Sequence, residues 1–98
     1  MPPANGDPAR VVAVVRGRVQ AVGFRYFVVG EARRMGVHGF VRNLYDGRSV
    51  EVVAEGQRAD LEALLVRLRE GPPGAHVDAV DTEWMLALGN FRGFGVRA

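Results

Sequence analysis

Residues Arg10–Gly36 read RVVAVVRGRVQAVGFRYFVVGEARRMG, and the change of period inside this stretch decides the fold. The run VVAVV within Arg10–Arg16 is dominated by β-branched residues and is followed by Gly17, so it predicts a strand. Because the run is nearly continuous rather than alternating, it predicts a central, well-buried one. From Phe24 the period becomes helical: Phe24, Phe27, Val28, Ala32 and Met35 fall near one face. Arg33 and Arg34 stand in the last turn, where cations suit the helix dipole, and Gly36 supplies a left-handed stop. Gly30 inside this helix costs about 1 kcal/mol against alanine, and close packing on the sheet is one reason for it. Between strand and helix lies the loop Gly17–Gly23, with Arg25 in the helix's first turn.

The remaining elements follow outward from this unit. Val37–Tyr45 predicts a second strand and Ser49–Glu55 a third, joined across the polar turn Asp46–Arg48, where an Asp-Gly pair signals a hairpin. Gly56 is expected to end that hairpin. Leu61, Leu64, Leu65 and Leu68 mark a second helix, stopped by Gly71, Pro72 and Pro73. A fourth strand is expected at Val77–Met85, and Gly93–Arg97 offers a short closing strand after the Gly89–Asn90 turn. The order strand, helix, strand, strand, helix, strand is the α+β, ferredoxin-like βαββαβ sandwich, an antiparallel sheet with two helices on one face. Residues 10–98 are expected to form this single domain, and the first nine, MPPANGDPA, a flexible tail without the basic start and apolar centre of a secretory signal. No apolar run approaches the roughly 18–20 residues that cross a bilayer, so the expectation is a cytoplasmic protein with no membrane partner.

Composition removes most chemistries. The 98 residues include no cysteine, which excludes disulfides, thiolate metal sites and thiol nucleophiles. All 13 basic residues are arginine, so there is no lysine for a P-loop, a Schiff base or a general base. The arginines are dispersed and offset by 11 acidic residues, a mixed-charge surface rather than a nucleic-acid stripe. Ser49, the only serine, lies beside the hairpin turn with no histidine placed to activate it. His38 and His76 have no metal-ligand spacing and are expected at strand ends. No metal and no cofactor is expected. What remains is the loop. Consecutive backbone N–H groups in such a curl form an anion nest, and the helix N-terminus adds unpaired donors. Arginine supplies a planar, permanent charge that grips two phosphate oxygens. Taken alone, the same residues fit a tight connection with a surface arginine.

GRVQAVGFR, Gly17–Arg25, resembles the signature of the acylphosphatase family, and GFVRN at Gly39–Asn43, followed by Gly47 and the hairpin, resembles its second signature. The resemblance runs from about Arg10 to the C-terminal strand. It implies a small ferredoxin-like hydrolase of carboxyl-phosphate anhydrides, acting on small acyl phosphates with neither metal nor covalent intermediate, and a monomer. By the same resemblance Arg25 and the loop amides, spanning Gly17, Arg18, Val19, Gln20, Ala21, Val22 and Gly23, bind the phosphate, while Asn43 positions the attacking water. Three positions depart from the family pattern. Ala21 stands where glycine or histidine is usual. The hairpin GRSV, Gly47–Val50, is one residue longer than is common, and Leu44 replaces a threonine found in some members. Two other readings of the same fold are a base-stacking RNA-binding module and a non-catalytic domain. The first is disfavoured because SVEVVAE at Ser49–Glu55 carries no aromatic residue.

Overall fold

In the computed structural model, which describes residues 6–98, the chain forms β1 (Pro8–Arg18), α1 (Phe24–Met35), β2 (His38–Asn43), β3 (Val50–Gln57), α2 (Arg58–Glu70), β4 (His76–Leu86) and β5 (Phe94–Val96). The sheet order is β4-β1-β3-β2-β5, so β1 lies centrally, as expected. It begins two residues early: Pro8 and Ala9, assigned above to the tail, pair with Gln57 and Gly56 of β3. A proline is tolerated there because the first residue of a strand owes no N–H to the ladder. Residues 1–5 of that tail lie outside the described residues.

The helices pack on one face of the sheet. Ala9, Val11, Ala13 and Val15 of β1 join Val41, Val50, Val52 and Ala54 from β2 and β3 in one core with Phe24, Val28 and Ala32 of α1 and Leu61, Leu64, Leu65 and Leu68 of α2. The VVAVV run is therefore buried on one side only, because Val12 and Val14 point to the opposite face and are half-buried. That face is open and carries ion pairs at 2.7 Å: Arg10–Glu55, Arg42–Glu51 and Arg16–Asp81. Gly30 is exposed, and a methyl group added there would meet open space. Close packing does not account for it.

Two further expectations change. Gly56 does not end the hairpin, since β3 continues through Gln57 directly into α2 at Arg58. The sheet is mixed rather than antiparallel, because β5 pairs parallel to β2 on the edge opposite β4. The chain reaches that edge through residues 87–93, held by the Glu55 carboxylate, which accepts from the amides of Leu88 at 2.9 Å and Gly89 at 3.0 Å. Burial alone would raise the Glu55 pKa; the two amides and the Arg10 guanidinium outweigh it and hold it below the usual carboxylate value.

Candidate active site

The site region begins where β1 stops being a strand. Its pairing with β4 shifts register between Arg16 and Gly17. Gly17 has φ 138°, and a Cβ there would stand 2.1 Å from the His76 carbonyl oxygen, so only glycine fits at this irregularity, one residue before β1 ends at Arg18. Val19 is buried and anchors the loop to the core. Ala21 is left-handed at φ 60°, the single non-glycine residue so placed among the described ones, and pays about 1 kcal/mol for it. Gly23, at φ 77°, is the N-cap of α1.

The N-terminus of α1 carries no side-chain cap and no acidic residue in its first turn. Its first N–H groups lack intrahelical acceptors by geometry, so they remain donors for an anion and add the positive end of the helix dipole. Arg25 is half-buried there and has no carboxylate partner among the described residues. Together with Val19, Ala21, Gly23, Phe24 and Tyr26 it lines a depression of about 260 Å³. A second depression, of about 210 Å³, lies on the loop between Gly17–Gln20 and Gly47–Arg48. Asn43 lines neither.

Asn43 ends β2, opposite Val50 of β3. Its Oδ1 is buried and has no partner among the described residues, an unusual state for an acceptor that would cost about 1–3 kcal/mol if nothing donated to it. Leu44, next in the chain, has no hydroxyl to offer. The link between the loop and this strand end is Gln20. Its Nε2 donates to the carbonyl oxygens of both Leu44 and Ser49, each at 2.9 Å. Leu44 N also donates to Ser49 O at 2.9 Å, so Gln20 grips the closing pair of the hairpin whose turn is Tyr45–Arg48. This role was not foreseen from the sequence, where Gln20 counted only for its backbone amide. The available signal was a lone amide side chain set between the apolar Val19 and Ala21.

The turn itself is fixed by Asp46. Its carboxylate accepts from the amides of Arg48 and Ser49 at 2.9 and 2.8 Å and from the Ser49 hydroxyl at 2.6 Å. The hydroxyl first, then the two amides, lower the Asp46 pKa to about 2. Ser49 is buried in this arrangement and is a structural hydroxyl, as its position by the turn suggested. His38 and His76 open β2 and β4, and no group of three or more histidine, aspartate or glutamate side chains that could hold a metal ion occurs among the described residues.

The chain matches the family model for acylphosphatase over residues 11–96. It is 48% identical over 91 residues to an acylphosphatase of Anaeromyxobacter dehalogenans, covering 93% of this chain and 97% of that one. With an acylphosphatase of Deinococcus radiodurans it shares 53% identity over 80 residues, 82% of this chain and 91% of the other. The crystal structure of an acylphosphatase from Bacillus subtilis superposes with a TM-score of 0.88 at 34% identity, covering 92% of this chain and 99% of that chain.

Proposed function

The chain belongs to the acylphosphatase family and is a hydrolase of the carboxyl–phosphate anhydride of small acyl phosphates, and from that premise we propose which residues perform the reaction. Arg25 and the loop amides of Gly17–Gly23 bind the phosphoryl group, and Asn43 orients the attacking water. The observation that carries this reading is the Gln20 clamp, which ties the loop leading to Arg25 to the residue next to Asn43. The uncapped N-terminus of α1 supports it independently.

Phosphoryl transfer needs positioning and charge stabilisation more than covalent help. A planar guanidinium and converging N–H donors neutralise charge on the equatorial phosphoryl oxygens as it redistributes. The leaving group is a carboxylate, a weak base that departs without a general acid. Asn43 orients the water through its side-chain amide, which offers both a donor and an acceptor, so that the water's lone pair faces phosphorus. An amide is no base, so the water's proton passes to a substrate oxygen as the bond to phosphorus forms and the bond to the acyl oxygen breaks. The products are a carboxylate and inorganic phosphate. No metal, cofactor or covalent intermediate enters this scheme, and the chain acts as a cytoplasmic monomer.

Benzoyl phosphate hydrolysis tests the assignment. Arg25→Gln is expected to lower kcat/KM by about 10²–10³ or more, as loss of a charge-stabilising donor does. Asn43→Ala is expected to lower kcat with little change in KM, and a chelator is expected to leave the native rate unchanged. Near-normal turnover by either variant removes that residue from the mechanism. Sedimentation of the purified chain tests the monomer.

A further inference from the structure

One cavity lies away from the loop. It measures about 410 Å³ and sits where α1 ends, β2 begins and β5 begins, lined by Arg33, His38, Arg92 and Phe94 with the backbone of Gly36, Gly93 and Gly95. β2 separates it from Asn43: His38 opens the strand and Asn43 closes it, a distance of roughly 17 Å at 3.3 Å per residue.

Its polar groups are arranged and underused. Arg33 donates Nε to the Phe94 carbonyl oxygen at 3.1 Å. That bond fixes the guanidinium plane, and the two terminal nitrogens have no partner among the described residues. Arg92 is exposed and has neither a hydrogen bond nor a carboxylate partner among them. His38 Nδ1 accepts from the Gly93 amide at 2.7 Å, so the neutral ring carries its proton on Nε2 and presents a donor there. The carboxylate nearest in register, Glu55 opposite His38, is already occupied by Arg10 and the amides of Leu88 and Gly89. Glu31 is likewise engaged by Arg34 and Arg67. Two cations without a carboxylate partner among the described residues and a ring N–H thus line a hollow whose floor lies over the buried Val37 and Phe94. Its size is that of a small-molecule site.

We propose that this cavity is a second anion-binding site, separate from the phosphate loop, for a small organic molecule carrying a phosphate or carboxylate. Arg33 and Arg92 grip the oxyanion, and His38 Nε2–H adds a third donor.

Residue-resolved amide chemical shifts of the whole chain test it, with phenyl phosphate, benzoate and neutral benzyl alcohol as probes. The amides of Gly93, Phe94 and Gly95 are expected to shift saturably with at least one anion and not with the alcohol. Response to one anion alone assigns the oxyanion. Arg92→Gln is expected to weaken this response about tenfold, the worth of one charge-assisted contact, without moving the shifts of Val19–Gly23. Arg33→Gln is expected to do the same. Because Arg92 holds nothing in the fold, its variant decides the matter even where loss of the Arg33–Phe94 bond disturbs β5. No saturable shift at Gly93–Gly95, an equal response to benzyl alcohol, or titrations unaltered by Arg92→Gln would overturn the proposal.

Discussion

Gln20 is the residue whose side chain does most to join the two motifs. Gln20→Leu keeps the volume and removes both donated bonds. At a net 0.5–1.5 kcal/mol per hydrogen bond, it is expected to destabilise the chain by about 1–3 kcal/mol, read as a lower thermal midpoint. The same variant is expected to lower kcat for benzoyl phosphate more than it raises KM, because the strand end bearing Asn43 loses its register with the loop. A fall in stability with unchanged kinetics would confine Gln20 to the fold. Arg25 and Asn43 were singled out in the sequence because their motifs are local and specific. The Gln20 contacts were not, since Leu44 and Ser49 stand 24 and 29 residues away and backbone carbonyl acceptors leave no trace in side-chain identity. Ala21 was legible as a departure, and its left-handed backbone locates the strain inside the loop.

At the scale of elements, period and punctuation identified both helices and five strands, the short closing one at Gly93–Arg97 included. They failed where burial depends on neighbours. VVAVV reads as buried on both faces, yet the sheet has helices on one face only, and the other side of Val12 and Val14 is flanked by ion pairs rather than a layer. The direction of β5 was equally illegible, because it depends on where residues 87–93 travel. Glu55 decides that path, a buried carboxylate in a strand where sequence alone suggests a solvent-facing charge. Glu55→Gln puts an amide NH₂ where two backbone N–H groups and Arg10 need an acceptor. It is expected to cost about 1–3 kcal/mol, the penalty for unpaired buried donors, measured by denaturant unfolding. Hydrolysis at saturating substrate is expected to persist, because Glu55 pairs with His38 and not with the Asn43 end of β2.

For the molecule as a whole, the perturbed carboxylates share one sign. Glu31, lowered by Arg34 and Arg67, Asp46, lowered chiefly by Ser49, and Glu55 all have folded pKa values below their ordinary ones. Such groups bind fewer protons folded than unfolded, so their stabilisation is complete above the ordinary values of 3.8 for Asp46 and 4.5 for Glu31 and Glu55 and is lost as pH falls, for Asp46 toward about 2. Thermal midpoints measured from neutral pH downward are expected to stay level and then drop through that window. Asp46→Asn is expected to flatten part of the drop; a midpoint independent of pH down to 3 would contradict the assignment.

The register shift between Arg16 and Gly17 also sets a boundary in time. Up to Val15, β1 is bonded to strands on both sides, and its amides are released to deuterium only by near-global opening. Past the shift, Gly17 and Arg18 pair with β4 alone, and from Val19 on the loop lies outside the sheet. In native-state hydrogen exchange, Val11–Val15 are expected among the slowest amides and Gln20–Val22 among the fastest. Inorganic phosphate is expected to slow the second group while leaving the first unchanged.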